Sequence, residues 1–115
     1  MQAQDRAARI GYISFRPGPN EFDQAFVQGL RERGIVPALL EQWLAKDDLD
    51  GMRALGEESG WLVAADEAVC SGADAQRIAD AKAAQVLNIK LMKAGLATAL
   101  DIVAVAKRTG LGLMI

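Results

Sequence analysis

A chain of 115 residues, 51% of them hydrophobic, has room for one domain with a core of ordinary size, which argues against a disordered polypeptide. The net charge of -2, with acidic and basic residues mixed along the whole length, leaves no electrostatic footprint for nucleic acid or an anionic membrane. Histidine is absent, which excludes Ser-His-Asp and Cys-His nucleophile arrangements and imidazole metal sites, so chemistry here must rest on carboxylates, lysine or backbone.

In chain order, the polar residues 1–8 are expected to fray, and Arg9 to Phe15 forms the first of five short apolar runs. The only Pro/Gly-rich stretch, Arg16-Pro17-Gly18-Pro19-Asn20, makes a turn. Asn20 can cap a helix whose apolar face is Phe22, Ala25, Phe26, Gly29 and Leu30, and Gly34 supplies a stop. The run Val36 to Glu41 follows, and Asp47 or Asp48 can cap a helix carrying Leu49, Met52 and Leu55. After the run Trp61 to Ala65, Ser71 and Asp74 have capping-box spacing ahead of a helix carrying Ala75, Ile78 and Ala79. The run Val86 to Leu91 leads to a helix with Ala99, Ile102, Val103 and Ala106 on one face, closed by Gly110, and Leu111 to Ile115 is the last run.

The runs recur roughly every 25 residues, the length of one strand-loop-helix unit, which predicts a βαβαβαβαβ order with about five parallel strands. Both an open doubly wound sheet and a segment of a (β/α)8 barrel accept that order. No G-x-G-x-x-G turn follows the first run and no Walker loop occurs.

Polar residues interrupt the apolar runs at equivalent places. Glu41 closes the second run, Asp66 follows the third, and Lys90 stands near the end of the fourth; the separations are 66 − 41 = 25 and 90 − 66 = 24. Adjacent parallel strands would therefore carry the three side by side at one sheet edge, which in a barrel is the active-site face. Two carboxylates there are hard oxygen donors suited to Mg²⁺. A lysine beside them, its pKa lowered by burial and by the metal, would serve as a general base for removing a proton next to a carboxylate. Lys93 is a rival base but is expected to be carried outward as a surface lysine, and Glu67 to support the site from outside the ligand set or to face solvent, not to be a ligand. Cys70 is expected to be a buried small residue, and Trp43, Trp61, Met92 and Met114 to pack in the core. A single cysteine and the absence of a signal-peptide core or a run of about 18 apolar residues predict a soluble, cytoplasmic protein.

At these residues the chain resembles the mandelate racemase and muconate lactonizing branch of the enolase superfamily. Leu39-Leu40-Glu41-Gln42 is similar to that family's L-x-E-Q-P strand, Ala65-Asp66-Glu67 to its A-D-E-S strand, and Asn88-Ile89-Lys90-Leu91-Met92-Lys93 to the N-I-K-L-M-K strand of dipeptide epimerases. The resemblance implies an isomerase that transfers a proton at the carbon next to a carboxylate, with a small carboxylate or dipeptide as substrate. It implies Mg²⁺ held by Glu41 and Asp66, with Lys90 as one of two catalytic lysines. It also implies that residues 1–115 are part of a C-terminal (β/α)8 barrel domain, strands three to seven. The family's third strand ends in D-A-N, whereas Tyr12-Ile13-Ser14-Phe15 holds no acid; its second lysine, on a K-x-K strand, is not in this sequence, and Trp43 and Ala68 replace a proline and a serine. The expectation is thus a fragment or degenerate member of the superfamily, with a non-catalytic half-barrel remnant or a self-assembling α/β domain as the alternative. The apolar surface that five strands leave uncovered predicts a homo-oligomer.

Overall fold

The computed structural model describes residues 21–37 and 39–115. The expected frayed start, the strand over Arg9 to Phe15 and the Asn20 cap lie outside them. The elements run α1 (Glu21–Glu32), β1 (Leu40–Glu41), α2 (Leu49–Ser59), β2 (Val63–Ala65), α3 (Gly72–Ala81), β3 (Val86–Asn88), α4 (Leu91–Thr109) and β4 (Gly112–Met114). The four strands form one sheet in the order β1-β2-β3-β4, every pair parallel. Sequential strands that are adjacent and parallel, each joined by a helix, are the repeating unit of a (β/α)8 barrel, and this chain is a segment of one.

The caps explain where the helices start and stop. Asp48 Oδ1 accepts from the Gly51 amide at 3.0 Å and opens α2. Ser71 Oγ accepts from the Asp74 amide at 3.1 Å, and Asp74 Oδ2 accepts from the Cys70 amide at 3.0 Å, so the reciprocal half of the expected box falls one residue earlier. Gly110 ends α4 at φ 78, where its amide donates to the Ala106 carbonyl and a side chain would be strained. Inside α4, Gly95 stands at φ 71 and ψ 168, so a first turn over Leu91 to Ala94 is set at an angle to the long remainder.

Strand register divides the sheet into two faces. Leu40 pairs with Val63, Ala65 with Leu87 and Leu87 with Leu113, and Leu40, Val63, Ala65 and Leu87 lie in the hydrophobic core with Met52, Leu55, Ile78 and Ile102 from the helices. The alternate residues Glu41, Ala64, Val86 and Asn88 point to the opposite face, because strand side chains alternate. Trp43 is buried, its ring centroid 5.3 Å from that of Phe26 on α1, and Trp61 is partly buried beneath the Arg31 guanidinium.

Three packing expectations need correction. Among the described side chains of α1, Val27 is buried, Phe26 packs partly against the core and Ala25 is exposed, so the packed face is shifted toward Val27. Met92 is 98% exposed, because it belongs to the first turn of α4 and points away from the sheet. Cys70 is exposed, placed in the loop between β2 and α3 and not in an apolar element.

Candidate active site at the strand ends

Glu41 ends β1, Asp66 follows β2 directly, and Lys90 caps α4 two residues beyond β3. The structure brings these ends together. Asp66 is 4% exposed, and each of its polar atoms has a partner. Lys90 Nζ donates to Oδ2 and Lys93 Nζ to Oδ1 at 2.6 Å. The main-chain carbonyl of Asp66 accepts from Lys93 Nζ at 3.1 Å and from the Val69 amide at 3.0 Å, and its amide donates to Gln42 Oε1 at 2.9 Å. Glu41 stands one strand over, its Oε1 accepting from Asn88 Nδ2 at 2.5 Å across β2.

Lys93 is thus not the outward surface lysine expected. The chain enters α4 at Leu91, so a residue three positions past Lys90 stays above the same strand ends and folds back onto Asp66. Two further residues carry the site without having been assigned a role from sequence. Asn88, 8% exposed, holds Glu41, and Gln42 holds the backbone of Asp66. Glu67 is exposed, the second of the two places expected for it.

The electrostatics follow from this packing. Burial pushes the Asp66 carboxyl up, but hydrogen bonds and charge from Lys90 and Lys93 together outweigh it, and the net pKa is lowered. Lys90 is raised above the ordinary lysine value chiefly by its hydrogen bond to Asp66, against desolvation, with the charges of Asp66, Glu67 and Glu41 adding to the rise. Paired with Asp66, Lys90 is held in its ammonium form.

The donor set fits Mg²⁺ in kind. Glu41 and Asp66 offer hard oxygens on neighbouring strands, and Mg²⁺ ordinarily keeps several waters or substrate oxygens beside one or two carboxylates. Among the described residues no third Asp, Glu, Cys or His joins them. Asn88 and the two lysines complete the polar surroundings.

Residues 22–115 match the family described as Enolase C-terminal domain-like. An aromatic dipeptide epimerase from Herpetosiphon aurantiacus is 46% identical over 91 residues, covering 79% of this chain and 26% of the relative. A mandelate racemase/muconate lactonizing enzyme from Roseiflexus sp. superposes with a TM-score of 0.76 at 52% identity, over 80% of this chain and 26% of that one. A dipeptide epimerase from Enterococcus faecalis V583, solved with Mg and the dipeptide L-Leu-L-Tyr, superposes at 0.70 with 30% identity, over 77% of this chain and 25% of that one. Adjacent parallel strands, each joined to the next by a helix, define a segment of a (β/α)8 barrel. The chain belongs to the enolase C-terminal domain-like family, among homologues that include dipeptide epimerases, and it spans about a quarter of their length.

Proposed function

We propose that this chain carries part of the active site of a Mg²⁺-dependent racemase or epimerase acting on a dipeptide. Glu41 and Asp66 hold the metal, and Lys90 moves the proton at the carbon next to the substrate carboxylate. The observation that carries this reading is the meeting of Asp66 with Lys90, beside Glu41, at successive strand ends. Bound Mg²⁺ would supply positive charge to stabilise the negative charge developing on the substrate carboxylate. Lys90, released from Asp66 and half-exposed at the sheet edge, takes a proton as an amine or returns one as an ammonium. Asn88 keeps the Glu41 carboxylate turned along the sheet edge, and Lys93 keeps Asp66 from rotating away.

Calorimetric titration with Mg²⁺ tests the metal assignment. Binding is expected in the wild-type chain and expected to weaken by about 10 to 100 fold in Glu41→Ala. A wild-type chain with no binding at millimolar Mg²⁺ sinks the assignment and favours a non-catalytic remnant.

A second reading, self-association, rests on a separate observation. Leu96 and Leu100, four residues apart on α4, are 69% and 60% exposed and leave a row of apolar side chains uncovered along that helix. Sedimentation should show a homo-oligomer whose population grows with concentration; a monomer at every concentration would count against it. No described helix is long and apolar enough to cross a membrane. The lone cysteine suits a reducing compartment, in keeping with a cytoplasmic protein.

A further inference from the structure

Gln42 follows Glu41 directly and is turned to φ 41, a left-handed conformation that a non-glycine residue seldom adopts. Its amide still makes the parallel ladder bond to the Ala64 carbonyl at 2.8 Å. In a regular parallel ladder the next bond would run from the Asp66 amide to the main-chain carbonyl of Gln42. Here the side-chain carbonyl replaces it: Gln42 Oε1 accepts from the amides of Asp66 at 2.9 Å and Ala68 at 3.0 Å. The other end of the carboxamide is tied as well, Nε2 donating to the Leu44 carbonyl at 2.9 Å. One neutral side chain therefore extends the ladder past the end of β2 and fixes the loop that presents Asp66, while its own backbone carries Glu41.

We propose that Gln42 is a positioning residue that sets the distance and orientation between the Glu41 and Asp66 carboxylates. It deepens the proposed metal site and rests on that reading for its Mg²⁺ consequence. Lys90 and Lys93 also touch Asp66, but through a carboxylate that a metal would share. The two amide bonds to Gln42 Oε1 make no use of the carboxylate and so are compatible with either state of the site.

The test uses the whole chain with Gln42→Asn and Gln42→Glu. Asparagine tolerates positive φ better than glutamine and keeps the carboxamide, but is one methylene too short to reach both amides. Glutamate keeps an acceptor at the original reach. With amide hydrogen exchange measured by NMR in the absence of metal, Gln42→Asn is expected to speed exchange at Asp66 and Ala68 about tenfold or more, and Gln42→Glu to restore protection. Mg²⁺ affinity is expected to fall about tenfold or more in Gln42→Asn. Wild-type exchange in Gln42→Asn overturns the proposal, since the backbone bend alone would then be what matters; so does lost Mg²⁺ affinity with exchange unchanged. Should Gln42→Asn fail to fold, rapid exchange of both amides in a folded Gln42→Glu chain overturns it. A wild-type chain that binds no Mg²⁺ defeats the metal reading separately, and the exchange data then decide the positioning of Asp66 alone.

Discussion

In a chain carrying Asp66→Asn, the proposed Mg²⁺ binding is expected to fall below detection at millimolar metal, and the unfolding midpoint to lose part of its dependence on pH. The first result follows from charge. A carboxamide of the same shape has one oxygen and no negative charge, and Glu41 alone gives a single carboxylate on an exposed strand end. The second follows from linkage. Asp66 has a lowered pKa in the folded chain, so its contribution to stability is present above its ordinary value of 3.8 and is lost as pH falls through the folded value. Lys90 is raised, so its contribution is complete below its ordinary 10.5 and is lost as pH rises through the folded value. Between those limits the pair favours folding; outside them it does not. Thermal unfolding of wild type and Asp66→Asn at a series of pH values should therefore give midpoints that differ most near neutrality and approach each other in acid. Parallel curves would show that the ion pairs at Asp66 contribute nothing. The variant should still fold, because both lysines are exposed enough to be solvated once the buried carboxylate is gone.

Much of the candidate site is legible in the sequence, and the reasons are specific. Glu41, Asp66 and Lys90 stand out because a charge at the end of an apolar run is conspicuous, and equal spacing in a parallel repeat forces such residues to one edge. The alternation of strands with capped helices likewise marks β1 to β4, although the ladders are shorter than the apolar runs: only Leu40 and Glu41 of the run from Val36 pair, and only Val86 to Asn88 of the run to Leu91. The errors gather where period two gives way to period 3.6 without a polar break. The run from Val86 reads as strand to Leu91, yet α4 begins at Leu91, which brings Lys93 over Asp66 and sends Met92 into solvent. Gln42 and Asn88 carry no charge and lie inside motif segments, so their roles depend on hydrogen bonds that only tertiary structure defines. A carboxamide directly after the candidate glutamate Glu41 is the one sequence signal available for Gln42; its positive φ has none.

Leu87→Ala should be among the most damaging single substitutions in the chain, for stability and for the site together. Leu87 is fully buried at the centre of β3, between Ala65 of β2 and Leu113 of β4, with its side chain in the core beneath the helices. Truncating a buried leucine costs about 2 to 5 kcal/mol, from lost burial and from the cavity left behind. In a chain of this size that corresponds to a fall of roughly 10 to 20 °C in the unfolding midpoint. The loss cannot be confined to the helix side of the sheet. Asn88, the next residue, faces the opposite way and holds Glu41, and Lys90 two residues further holds Asp66, so all three side-chain positions are set by the same short strand. The substitution should thus also weaken Mg²⁺ binding, measured well below the lowered midpoint where the chain is folded. Ile78→Ala on α3 provides the comparison: it opens a cavity of the same kind in the helix layer, away from the strand ends, and should lower the midpoint while leaving Mg²⁺ affinity close to wild type. Equal losses of affinity in the two variants would mean that the site depends on overall stability and not on the register of β3.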